Sequence, residues 1–310
     1  MSDYLTATIL IATVASGIRL ATPFLLASLG ESLGQRSGVL NLGVDGVMLL
    51  GAFGAYYAVL QTGSLLLGII VGVLVGMVMG LLYAFISVTL QAEQGVSGIG
   101  IYLFGLGMSD LLFQKLVGTP RPIVPFPPLR IPLFSSIPVI GEMLFEHSLI
   151  VYMAFALVPI ATFVINRTTY GMNVRAAGEN PEAADSLGVN IAAVRYSTSI
   201  IGNTLGGLAG AALAIELGIF QQNLTNAMGF IAVALVYFGA WRPMGVMAGS
   251  LVFGIVASMV LQCKTVGIIP RSASDLAAMA PAVITIMALV VVANRFHQPA
   301  ALAKPFVREG

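Results

Sequence analysis

Nine apolar stretches follow one another along the 310 residues, near 5–29, 39–60, 65–90, 98–117, 148–166, 191–215, 227–240, 244–262 and 276–293. Most reach the roughly 18–20 residues that carry a helix across the hydrocarbon of a bilayer. Such a chain has few folds open to it. Inside lipid every backbone N–H and C=O needs a partner, which leaves helices and closed barrels, and runs this long choose the helix. The composition agrees: only 9% of residues are charged, against about a quarter in a soluble domain. The expected fold is an all-α polytopic membrane protein, one domain over residues 1–310, with about nine transmembrane helices and the termini on opposite faces. The stretch 227–240 is too short to cross comfortably. It reads as a half-helix or as continuous with its neighbour through Trp241-Arg242-Pro243. The start, MSDYLTATIL, lacks the basic residues and cleavage site of a secretory signal, so its apolar run is expected to stay as the first span.

Several functions are excluded. A net charge of +1 offers no basic surface to nucleic acid. The single cysteine, Cys263, rules out disulfide frameworks and cysteine metal clusters. The two histidines, His147 and His297, sit in a loop and the tail, so no metal or nucleophile–base site is readable. No GxxxxGK[ST] loop is present, and the chain is not expected to hydrolyse ATP or to carry a cofactor. The energy for any uphill work then comes from a gradient or from a partner.

Lys and Arg set the orientation. One face collects Arg36, Arg167, Arg175, Arg195, Arg242, Arg295, Lys304 and Arg308; the other collects Lys115, Arg121, Arg130, Lys264 and Arg271. The excess places the first face in the cytoplasm, the N-terminus outside and the C-terminus inside. The segment 118–147, with seven prolines, becomes a stiff external loop, either a brace for a docking partner or a simple connector.

One polar island interrupts the apolar sequence on the cytoplasmic face, Arg167–Arg195. Within it Asn180-Pro181-Glu182 reads as a helix start: Asn accepts from free backbone N–H groups, Pro at the first position loses no needed donor, and Glu faces the positive helix end. Gly188 is suited to the left-handed turn that ends a helix. The expected element is about two turns, 181–187, with Ala183, Ala184 and Leu187 on one side and Glu182 and Asp185 beside them. A short capped helix of this kind, in a loop over 167–190, is shaped to sit in another protein's groove.

Polar residues at membrane depth are the remaining signals. In SGVLNLGVDG (37–46) Asn41 and Asp45 stand four apart and share a face if the backbone is helical, but Gly38, Gly43 and Gly46 weaken that helix. The reading is either a broken helix lining a solute route or the mouth of a loop. Gln94, before the fourth span, is a further route candidate. So is ELGIFQQNLTN (216–226), where Phe220 offers a ring face and Gln222, Asn223 and Asn226 offer amides to a flat, uncharged solute. Arg19 in the first span is expected to form a structural ion pair with Asp45 or Glu31, and Asp110 in the fourth is treated likewise. Asn203 reads as interhelical hydrogen-bond glue. Two glycine ladders, 68/72/76/80 and 202/206/210, read as close helix packing.

Three blocks together resemble permease subunits of bacterial binding-protein-dependent ABC importers, in the branch serving ribose-type sugars, branched-chain amino acids and nucleosides. GENPEAA (178–184) followed by GVN (188–190) resembles the cytoplasmic coupling loop. SGVLNLGVDG resembles the broken-helix signature after the first span, and GFIAVAL (229–235) with RPMG (242–245) the late block. The resemblance covers nearly the whole chain. It implies a vitamin-B12-importer-like (type II) bundle in the inner membrane, with Glu179, Asn180, Pro181, Glu182, Ala183, Ala184, Asp185 and Gly188 as the ATPase-coupling residues. It also implies partners: cytoplasmic ABC ATPase subunits holding ATP and Mg, a second permease, alike or different, and an external substrate-binding lipoprotein. The wording of 31–46 is most similar to nucleoside or purine permeases; sugar permeases typically carry an acid where Asn41 stands. A simple sugar, a flavin or a branched-chain amino acid are the alternatives for the same machinery. The competing class, a gradient-driven secondary transporter, would have to work with Asp45 and Asp110 as almost its only intramembrane acids.

Overall fold

A computed structural model describes residues 7–130, 140–270, 276–277, 279–293 and 297–307. Among these the helices are α1 (Ala7–Arg36), α2 (Val44–Thr62), α3 (Leu65–Ala84, continued by a π turn over Phe85–Thr89), α4 (Gln94–Leu116), α5 (Ile140–Leu144) and α6 (Leu149–Arg167). They continue with α7 (Thr169–Glu179), α8 (Pro181–Ser186), α9 (Ile191–Leu217), α10 (Met228–Phe238), α11 (Pro243–Thr265) and α12 (Ala280–Ala293). A two-residue antiparallel pair, β1 (Leu129–Arg130) with β2 (Glu146–His147), closes the base of the proline-rich loop. Seven of the described helices are long and apolar enough to cross a membrane. The all-α polytopic expectation therefore holds, whereas a count of nine goes beyond what these helices establish.

Local chemistry sets the helix ends. Gly63 and Gly218 take the left-handed conformation after α2 and α9, as glycine at that position favours. Ser64, Glu93 and Asn190 cap α3, α4 and α9 by accepting backbone N–H bonds. The α10 segment is a separate half-helix of 11 residues, about 16 Å long. It ends in a turn where Ala240 and Trp241 both have positive φ, so it does not run on into α11.

The 27-residue α9 is the spine, packed along α1, α2 and α3. The first glycine ladder serves this packing, and the second does so at Gly202 and Gly210 but not at Gly206. A Cβ on Gly80 would lie 2.9 Å from the Ile200 Cα and one on Gly202 would lie 2.9 Å from the Gly30 carbonyl oxygen, whereas one on Gly206 would first meet Val47 at 3.6 Å; Gly207, outside the ladder, brings α9 within reach of Gly76 instead. With no side chains between them the backbones approach closely, which is how helices associate where lipid removes the hydrophobic drive. By contrast α3 and α4 expose Leu66, Val78, Val96 and Leu103 outward, the faces expected against acyl chains.

Candidate functional site

The start of α8 is capped as the sequence predicts, but its expected apolar side is divided, with Ala184 against the bundle and Ala183 and Leu187 exposed, and α7 is a further helix ahead of it. Thr168 caps α7 by accepting from the Gly171 N–H at 3.1 Å, and Asn180 caps α8 by accepting from the Ala183 N–H at 3.0 Å. Gly188 ends the turn at φ 88°. Ala184 is buried in a cluster with Leu33, Ile165, Val174, Ala177, Ile191 and Val194, which anchors α8 to the bundle. Its other face, Glu182, Ala183 and Ser186, is exposed, and Leu187 beyond it is 86% exposed. Pro181 and Asp185 are half-buried, and Glu179 and Asn180 are exposed. The result is a capped knob with an acid and a bare leucine at its tip. Beside it a groove of about 470 Å³ runs between the start of α9, the end of the π turn (Ser87, Gln91) and Phe306 of the tail.

What the knob is fastened to was not legible from its residues. A Cβ on Gly178 would overlap the Arg36 carbonyl, so α7 lies directly against the end of α1. The C-terminal tail completes the junction. Ala301 N–H donates to the Gly178 carbonyl at 2.8 Å and Ala303 N–H to the Gly38 carbonyl at 3.1 Å. Buried Arg195 donates to the Ser37 carbonyl at 3.3 Å and the Lys304 carbonyl at 3.0 Å. The knob, the link between α1 and α2, and the tail thus share one junction on one face.

A buried polar chain leads inward from it. Trp241 donates to the Gln35 side-chain oxygen at 2.8 Å, and Gln35 to the Glu31 carboxyl at 3.1 Å. The same Glu31 oxygen accepts the Asn41 backbone N–H at 3.0 Å, and the Asn41 amide donates to Asn203 at 2.8 Å. Gln94 accepts the Leu40 N–H at 2.8 Å, and Tyr83 donates to the Leu40 carbonyl. Asn41 and Gln94 are therefore buried clamps on the non-helical link, and Asn203 is the glue its position implied. Glu31 and Gln35, an acid and an amide four apart at a helix end, form a pair that local spacing signals.

Some expectations are overturned. Because α2 begins only at Val44 after Gly43, Asn41 lies outside it and does not share a helical face with Asp45. Asp45 is fully buried, accepting the Gly229 N–H at 2.7 Å and the Thr225 hydroxyl at 3.0 Å, so it pins α10 to α2. Phe220 offers no ring to a solute: it is fully buried among Phe53, Tyr56 and Phe113, since its aromatic neighbours outcompete solvent for it. Gln222, Asn223 and Asn226 are exposed, Asn223 and Asn226 at positive φ. Arg19 is exposed and donates to Ser16 at 3.1 Å, while Asp45 and Glu31 are satisfied elsewhere; the anticipated ion pair does not form. Asp110 is half-buried with one oxygen lacking a hydrogen-bond partner among the described residues.

At the opposite end of α6 from the knob, burial lowers the affinity of His147 for a proton, and the Arg19 charge adds to this, against a bond to the Met143 carbonyl at 2.8 Å. A histidine held below its free value of about 6.5 favours the folded loop fully above that pH. The contribution is lost as pH falls through the lower folded value. Protection of the amides around Glu146–His147, each exchange rate taken relative to its intrinsic rate at the same pH, is expected to fall as pH drops below about 6.5, and His147→Gln to remove that dependence. Protection indifferent to pH in the native chain would refute it.

A family sequence model described as branched-chain amino acid transport system / permease component matches residues 13–292. The guanosine ABC transporter permease protein NupQ of Bacillus subtilis is 31% identical over 302 residues, covering 93% of this chain and 94% of that protein. The nucleoside ABC transporter permease protein NupC of Lactococcus lactis is 33% identical, with the same coverage of 93% and 94%. TsgC13 of Haloferax volcanii, a permease protein provisionally named for a glucose ABC transporter, is 35% identical over 81% of this chain and 77% of its own. No solved structure matches.

Proposed function

The chain belongs to the family of branched-chain amino acid transport system permease components, and from that premise we propose a nucleoside-like solute, carried inward by ATP-driven alternating access. The protein is a multi-pass inner-membrane permease component of an ABC transporter, and the ATPase activity lies in a separate subunit. The observation that carries the solute is end-to-end similarity, 93% of the chain, to two relatives named for guanosine and nucleosides. A simple sugar is the second reading, because TsgC13 is named for glucose and is 35% identical.

In this reading the chain crosses nine times in a type II bundle, with its N-terminus outside and the tail and α8 in the cytoplasm. It pairs with a second permease and receives solute from an external lipoprotein. The exposed amides Gln222, Asn223 and Asn226 face the route, and Asn41, Asp45 and Gln94 hold its walls. The ATPase turns the bundle only if its two states grip α8 differently, since equal affinity for both conformations shifts nothing. The bare Leu187 and Glu182 supply that grip.

Two measurements test this. In proteoliposomes holding the permeases, ATPase and lipoprotein, unlabelled guanosine is expected to abolish labelled-nucleoside uptake and glucose to leave it unchanged; competition by glucose alone would move the assignment to sugars. Glu182→Lys is expected to cut uptake at least tenfold at unchanged membrane level. Wild-type uptake by that variant would remove α8 from the coupling role.

A further inference from the structure

A second groove opens on the same face, separate from the one beside α8. It holds about 430 Å³ and is lined by Arg36 at the end of α1, Arg175 on α7, Arg242 before α11, Thr162 and Asn166 on α6, and Met244. Three guanidinium-bearing residues thus reach one space from three separate elements. Arg36 lies within electrostatic range of both Arg175 and Arg242, and Glu179 is the carboxylate that acts on it with the opposite sign. The groove is lined by three arginines and by no carboxylate among the described residues, which makes its lining cationic. The N-terminus of the 23-residue α11 adds to this, because the first N–H groups of a helix carry positive charge. Thr162 and Asn166 add neutral hydrogen-bonding groups.

Position selects the kind of anion. The groove lies where α6 ends at Arg167 and α11 begins at Pro243, at the boundary of two spans. Met244, which lines the groove, is 53% exposed, so a bare apolar side chain adjoins the cations, and Pro243 lines the groove beside it. We propose that this groove binds the phosphate headgroup of an anionic phospholipid, the arginines taking the phosphate and the apolar side chains the start of the acyl chains. Basic pockets between spans suit that chemistry. The inference rests on the chain being a membrane permease and not on its solute.

The test titrates lipids onto the purified chain in detergent and reads bound lipid by native mass spectrometry. Phosphatidylglycerol is expected to bind at least tenfold more tightly than phosphatidylcholine. Inorganic phosphate and glycerophosphate, which lack acyl chains, are expected to bind far more weakly. At about fivefold per arginine, Arg175→Gln should weaken phosphatidylglycerol about fivefold, and Arg175→Gln with Arg242→Gln about 25-fold. Arg167→Gln, outside the groove, should change nothing. Equal binding of the two lipids, or an unchanged double variant, overturns the proposal. Phosphate binding as tightly as the lipid makes this a site for free phosphate and overturns the lipid. Lipid lost once the ATPase docks hands the arginines to acidic residues of that partner, which also overturns it. ATP-driven uptake by the wild type is a separate readout, so failure of the permease reading would be seen apart from failure of the lipid site.

Discussion

Valine at Gly210 is expected to remove folded protein from the membrane fraction. Gly210 is where α9 meets α2: a Cβ there would overlap the Met48 carbonyl oxygen and lie 2.7 Å from its carbon and 2.9 Å from the Ala52 nitrogen. The obstacles are backbone atoms of a buried helix, so no rotamer change relieves them and the two helices must part. Overpacking ordinarily costs about 1–3 kcal/mol. Forcing apart the spine and α2, with Met48, Leu49 and Ala52 wholly buried between them, is expected to exceed that range. A total stability of about 5–15 kcal/mol makes this a large fraction. Gly206→Ala is the control, because a Cβ there first meets the Val47 side chain at 3.6 Å, an ordinary contact. Thermal unfolding followed by size exclusion in detergent should separate the two. Equal midpoints for Gly210→Val and the native chain would mean that the helices do not approach so closely.

The second large effect is at Asp45. Alanine there strands the Gly229 N–H and the Thr225 hydroxyl, both now bonded to the carboxyl, inside the protein. Each stranded donor costs about 1–3 kcal/mol, so Asp45→Ala is expected to lose about 2–6 kcal/mol in the same unfolding assay. Asp45→Asn keeps one acceptor oxygen and should lose less. Because those bonds hold the half-helix α10 against α2, uptake is expected to fall with stability in the alanine variant. A variant as stable as the parent would show that α10 is held by its apolar contacts alone.

The cap of α8 was legible because Asn180 and Ala183 are three residues apart and the bond between them is local. The glycine ladders were legible because a four-residue repeat can only mark one face of a helix, and lipid offers no other use for it. Phe220 was misread for the opposite reason. An aromatic beside amides looks like a ring on offer, and only the arrival of Phe53, Tyr56 and Phe113 from other helices shows that it is taken. The expected Arg19 pair fails because the carboxylates near it in sequence are bonded elsewhere, Glu31 to the Asn41 N–H and Asp45 to the Gly229 N–H.

By itself the sequence determined that the chain is a helical membrane bundle, where its polar knob lies and how that knob is capped, since apolar length and capping chemistry act within a turn or a span. Tertiary structure alone decided what the polar residues do at depth. Asn41 meets Asn203, Gln35 meets Trp241 and Asp45 meets Gly229 across 162, 206 and 184 residues. A buried donor or acceptor must find a partner, but nothing in local periodicity says which distant segment supplies it. The tail clasped to Gly178, Gly38 and Arg195 and the three arginines around one groove exist only because the packed helices bring those positions to one face.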